Sequence, residues 1–178
     1  MSRRTKIQSL VLCSIFAALI TVGAFIKIPV PVVPFTLQFL FTSMAGLLLG
    51  ARLGAISVMI YVLMGLLGVP VFANGGGLSY ILQPSFGYLP GFALGAYVTG
   101  KLAADVHDYK RLVMANFAGL LIVYAVGMIY CWLINALYIG KAISFWTLFV
   151  YCFVLAVPGD IVLCFVGAAL VTKLKECY

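Results

Sequence analysis

One acidic residue, Asp160, stands inside an otherwise apolar stretch, directly after Pro158-Gly159. A carboxylate at bilayer depth costs roughly 3 kcal/mol unless a cavity or a partner receives it, so Asp160 is expected to hold a ligand. Capping a helix that restarts after a Pro158-Gly159 kink is a compatible second role. No other Asp, Glu or His falls in an apolar stretch, which disfavours a proton relay and hence a stand-alone proton-coupled carrier. The remaining hydrogen-bonding groups that could join Asp160 are Lys27, Thr36, Gln38, Asn74, Ser79, Tyr80, Gln83 and Ser85. Apart from the lysine they are neutral. Such a set suits a small neutral-headed ligand in an otherwise apolar pocket.

Enzymatic chemistry finds no support. The one histidine, His107, lies in the polar run from Asp105 to Arg111, and neither GxSxG nor HExxH occurs. The glycine-rich run Gly75-Gly76-Gly77 is not followed by GK[ST], so a Walker site is absent and any ATP hydrolysis belongs to another chain. The protein is expected to be a non-enzyme with no metal and no cofactor of its own. The five cysteines show no CxxC spacing, and four of them read as small buried hydrophobes.

The elements that position these groups follow from composition. Of 178 residues 65% are apolar, and only eleven Lys or Arg and four Asp or Glu carry charge. A soluble domain averages about 25% charged residues, so this chain cannot build a polar skin. The expected fold is an all-α integral membrane protein, a single domain over 1–178 with six transmembrane helices near 7–26, 36–51, 53–67, 86–104, 112–138 and 145–172. The second and third are short and separated only by Arg52. The first follows Arg3, Arg4 and Lys6 like a signal peptide, but it is long enough to span and is read as a retained helix.

Charge orients the bundle. With the N-terminus inside, nine basic residues face the cytoplasm, whereas Lys27 and Lys141 alone face outward. That bias places both termini in the cytoplasm of a plasma-membrane protein. Without a basic stripe carrying interleaved aromatics, nucleic acid is excluded as a partner. Pro29, Pro31, Pro34, Pro70, Pro84 and Pro90 gather in or beside two outer segments, about 27–36 and 68–85, and the latter holds the glycine run. Irregular apolar backbone survives at membrane depth only when buried or lining a cavity, so these segments are expected to cover the ligand site. Small residues recur at Gly87, Gly91, Gly95 and Thr99, read as internal packing. A second stripe, Cys13, Ala17 and Thr21 with Ser14 and Ala18 beside it, suits internal packing or another subunit equally.

Four segments in order carry a resemblance over nearly the whole chain. They are Ala24-Phe25-Ile26-Lys27-Ile28-Pro29 running into Val33-Pro34-Phe35-Thr36-Leu37-Gln38, Gly68-Val69-Pro70-Val71-Phe72-Ala73-Asn74-Gly75-Gly76, Pro84 to Phe92, and Pro158-Gly159-Asp160. The chain resembles BioY, the biotin-specific S component of energy-coupling factor transporters. The resemblance implies a prokaryotic six-helix S component that binds biotin from outside. Release inward would be driven by a transmembrane coupling subunit and two ATPase subunits. It implies ligand contacts at Asn74 and Asp160, and a small-residue docking motif for the coupling subunit at Ala17 and Thr21. Many relatives carry a lysine where Leu163 stands here, and an aliphatic residue where Pro90 stands.

Biotin's ureido ring offers two N–H donors and a carbonyl, which an Asp carboxylate and an Asn amide can meet. Phe35, Phe72, Tyr80, Phe86 and Tyr88 could wall its rings and tail, with Gln38 nearby. Lys27 or loop backbone N–H groups would have to receive its carboxylate. The alternatives are an S component or carrier for another small vitamin, and a non-transporting assembly subunit.

Overall fold

The structure, a computed structural model, describes residues 6–28, 35–104, 108–138, 146, 150 and 156–176. Arg3, Arg4, Pro29, Pro31, Pro34, His107, Lys141, Cys152, Cys177 and most of 145–155, the expected start of the sixth span, lie outside these residues.

Six α-helices form the described bundle: α1 Lys6–Phe25, α2 Gln38–Leu49, α3 Ala51–Leu66, α4 Tyr88–Leu102, α5 Tyr109–Leu137 and α6 Val157–Glu176. Three of them, α1, α5 and α6, are long and apolar enough to cross a membrane. The twelve residues of α2 rise only about 18 Å at 1.5 Å per residue. This short helix nevertheless contacts every other helix, and nine of its twelve residues are buried. Its hydroxyls stay within the helix, with Thr42 bonding the carbonyl of Phe39 and Ser43 that of Leu40. Around this centre Leu10, Leu63, Leu121, Ile129 and Leu170 point outward, exposed as lipid-facing side chains are.

The break between α2 and α3 falls at Gly50 rather than at Arg52, which is the second residue of α3. Gly50 has φ +84°, a conformation in which other residues are strained, so glycine and not charge ends the helix. The turn then accepts α4 closely. A Cβ on Gly100 would lie 2.6 Å from the Gly50 carbonyl carbon and 2.7 Å from the Gly46 oxygen. The Gly87, Gly91, Gly95, Thr99 stripe packs against α5. Gly91 faces Val123, Gly95 faces Gly119, and Thr99 donates to the carbonyl of Ala115 at 3.2 Å.

The described part of the sixth span is a helix that starts at Val157, so Pro158 occupies its first turn, where the missing N–H costs no intrahelical hydrogen bond. Asp160 is not its cap. The Asp160 backbone N–H donates to Ala156 at 3.2 Å, which puts the residue inside the first turn.

Between helices the chain is shaped by short non-helical pieces. Strand β1, Lys27–Ile28, pairs antiparallel with β2, Phe35–Thr36, in the register Lys27 with Thr36 and Ile28 with Phe35. After α3 the chain turns back at Phe72 and Gly75, whose backbones exchange hydrogen bonds of 2.9 and 3.2 Å. Gly77 then donates to the Gly65 carbonyl at 2.7 Å, tying the loop to the end of α3. Two 3₁₀ turns, Leu78–Leu82 and Pro84–Gly87, lead into α4.

Candidate functional site

The helix ends separate by charge. Among the described cations Lys6, Arg52, Lys101, Lys110, Arg111, Lys173 and Lys175 cluster at one end of the bundle, and Lys27 alone stands at the other. A pocket opens at that second end; its empty space, the open mouth included, is about 590 Å³. Its walls come from four sources: Phe35, Thr36, Gln38 and Phe39 at the β2–α2 junction; Ala73, Tyr80 and Ser85 from the loop; Tyr88, Leu89 and Phe92 from α4; and Val123, Tyr124, Ala156 and Asp160 from α5 and the start of α6.

Asp160 is 7% exposed, and Tyr124 donates its hydroxyl to Oδ2 at 2.5 Å. The carboxylate therefore keeps acceptor capacity for further donors in the pocket. Its place in the first turn of α6 sets it at the positive end of the helix dipole. Tyr124 is itself held edge-on by Tyr88, ring centroids 5.9 Å apart.

The facing wall is polar but fully braced. Thr36 Oγ1 donates to Gln38 Oε1 at 3.2 Å, Gln38 Nε2 to the Tyr61 hydroxyl at 2.7 Å, and that hydroxyl to the Val71 carbonyl at 3.2 Å. This chain fixes the Gln38 amide and fastens the loop to α3. Burial pushes the Tyr80 hydroxyl above its ordinary value, opposed by hydrogen bonds with Ser85 and with the Asn74 backbone N–H.

Of the expected ligand residues, Phe35, Gln38, Tyr80, Tyr88 and Asp160 line this one pocket. Phe72 does not. Its ring, 1% exposed, fills the notch that Gly65 leaves by lacking a side chain, and it packs between Tyr61, edge-on at 5.5 Å, and Tyr80, tilted at 4.5 Å. It anchors the loop rather than walling the pocket. Asn74 also stands outside the lining. Its side-chain Oδ1 accepts from Lys27 Nζ at 3.1 Å at the rim, beside a 2.6 Å bond from the same ammonium to the Ala73 carbonyl.

The expected docking pair is likewise placed differently. Ala17 is 1% exposed inside the helical core, and Thr21 is half-buried with its hydroxyl on the Ala17 carbonyl. The Cys13–Ala17 stripe faces inward, and the adjacent Ser14 and Ala18 are the small residues left exposed. Leu163, where the resemblance suggests a lysine, is packed in the apolar core.

Tyr124, Phe92 and Val123 escaped the sequence reading because they sit within long apolar helices. A tyrosine at mid-span is a usable signal for Tyr124, since its buried hydroxyl must find a partner.

The BioY family model matches residues 1–178. A probable biotin transporter BioY of Lysinibacillus sphaericus is 43% identical over 180 residues, covering 100% of this chain and 92% of the relative. The biotin transporter BioY of Thermotoga maritima is 45% identical over 122 residues, covering 68% and 72%. A crystal structure of the S-component for biotin from an ECF-type ABC transporter superposes with a TM-score of 0.82 at 26% identity, covering 99% of this chain and 95% of that one. A matched family model over the full chain, a relative matched over the whole of it and a shared six-helix fold converge: this multi-pass membrane protein belongs to the BioY family.

Proposed function

We propose that the protein is the biotin-binding S component of an energy-coupling factor importer. The observation that carries this reading is the Asp160–Tyr124 pair set in an aromatic pocket at the loop end of the bundle. A carboxylate fixed by one donor accepts the ureido N–H groups of biotin, and Phe35, Tyr80, Tyr88 and Phe92 provide apolar faces for its fused rings and tail. Asn74 acts from the rim. The seven basic residues at the far end support a cytoplasmic placement of both termini in a prokaryotic plasma membrane, with the pocket opening outward. The described ends of segment 27–36, Lys27–Ile28 and Phe35–Thr36, together with 68–85, then form the cover of the ligand site within a single 1–178 domain.

Inward release requires energy that this chain has no motif to supply, so a transmembrane coupling subunit and two ATPase subunits are its partners. The exposed small residues Ser14 and Ala18 of α1 offer the close-approach surface for the coupling subunit. The protein itself catalyses no reaction and uses no cofactor.

Denaturing the protein purified from biotin-supplied cells and identifying the released small molecules by mass spectrometry tests the reading. Biotin in the released fraction, and saturable rebinding of added biotin, are expected. Release of a different vitamin would reassign the ligand, and no release with no rebinding would sink the proposal.

A further inference from the structure

The geometry points to Lys27 as the residue that receives the ligand's anionic end and makes the site select an acid over its neutral amide; this rests on the biotin reading above. The pocket has a buried carboxylate, Asp160, and an exposed ammonium at the rim. Lys27 is the only described cation at this end of the bundle, and its charge has no acidic partner among the described residues: Asp160 bonds Tyr124, and Asp108 starts α5 at the opposite end. The ammonium rests instead on two neutral acceptors, the Ala73 carbonyl at 2.6 Å and Asn74 Oδ1 at 3.1 Å. Both neighbours tie it to the cavity. Ala73 lines the pocket, and so does Thr36, the ladder partner of Lys27.

The competing anion receptor, the loop backbone, is partly committed: Phe72 and Gly75 donate their N–H groups to each other's carbonyls, and Gly77 donates to Gly65. An ammonium has three donors, and two are used here on neutral oxygens. A carboxylate arriving at the rim can take the third or displace the longer Asn74 contact, and a charged acceptor makes the stronger bond. Asn74 then holds the ammonium in place while the site is empty.

The test titrates purified wild type, Lys27→Gln and Lys27→Arg with biotin and with biotinamide, which is uncharged and otherwise nearly the same shape. Wild type is expected to prefer biotin at least tenfold. Lys27→Gln should lose at least tenfold for biotin and less than threefold for biotinamide, so its preference collapses, and Lys27→Arg should keep it. Equal losses for both ligands in Lys27→Gln would reduce Lys27 to a structural clip and overturn the assignment, as would unchanged discrimination. A wild type that binds neither ligand would instead overturn the biotin reading, an outcome visible before any variant is compared. Binding of biotinamide by Lys27→Gln also reports that the variant is folded.

Discussion

Tyr124, in the middle of α5, donates its hydroxyl to Oδ2 of Asp160 in the first turn of α6 at 2.5 Å. Two helices are thereby joined through the polar group that the pocket most depends on. The tyrosine occupies one oxygen's donor requirement and sets the plane of the carboxylate. The other oxygen and the remaining lone pairs are left to a ligand.

Replacing Asp160 with alanine is expected to weaken biotin binding at least tenfold, about 1.4 kcal/mol, by leaving the ureido donors unpaired in a dry pocket. Isothermal titration of the purified variant measures this. Unchanged affinity would remove Asp160 from the site.

Tyr124→Phe should cost less, roughly three- to tenfold, because the carboxylate remains and only its brace is lost. The two effects should not add. In the double variant Tyr124→Phe has nothing left to orient, so affinity should match that of Asp160→Ala alone within about 0.5 kcal/mol. Additive losses in the titrations would mean that Tyr124 acts independently of Asp160.

On α1 two adjacent tryptophan substitutions should behave in opposite ways. Ala18→Trp extends from an exposed position, so biotin binding should persist while ATP-driven uptake with the partner subunits falls severalfold. Ala17→Trp forces a large ring into the core and should lower stability and yield before any question of docking arises. Full uptake by Ala18→Trp would move the docking surface elsewhere.

Gly100→Ala should destabilise the bundle by about 1–3 kcal/mol, since the added methyl meets the backbone of Gly50 and Gly46 and not a side chain that could rotate away. A lower melting temperature in detergent, without a change in biotin affinity at low temperature, is the expected signature. An unchanged melting temperature would show that the α2–α3 turn has slack.

Much of this organisation is legible in the sequence because lipid enforces it. Apolar length set the helix count, and the rarity of acids singled out Asp160, which the structure places in the pocket. Legibility fails where a residue's role depends on what faces it. Nothing local distinguishes Phe72 as a loop anchor from Phe35 as a pocket wall, because the difference is the missing side chain of Gly65 across the fold. Ala17 and Ala18 differ only in helical phase, and one position along the helix is a turn of about 100° that separates the core from the lipid. Arg52 drew attention as the break in an apolar run, whereas the backbone turns at Gly50, where the conformation demands it.

The contact between α4 and α5 has a mechanical consequence. Where Gly95 and Gly119 meet, a Cβ on either glycine would come within 3.0 Å of the other's carbonyl oxygen, and Gly91 approaches Val123 equally closely. Backbone pressed on backbone has no rotamer to spare, so these two helices form a rigid slab, and Tyr88, Leu89, Phe92, Val123 and Tyr124 are a fixed wall of the pocket. Phe35, Thr36, Ala73, Tyr80 and Ser85 are carried by short strands and turns. A gate through which a ligand enters or leaves therefore lies outside this slab, which serves as its jamb.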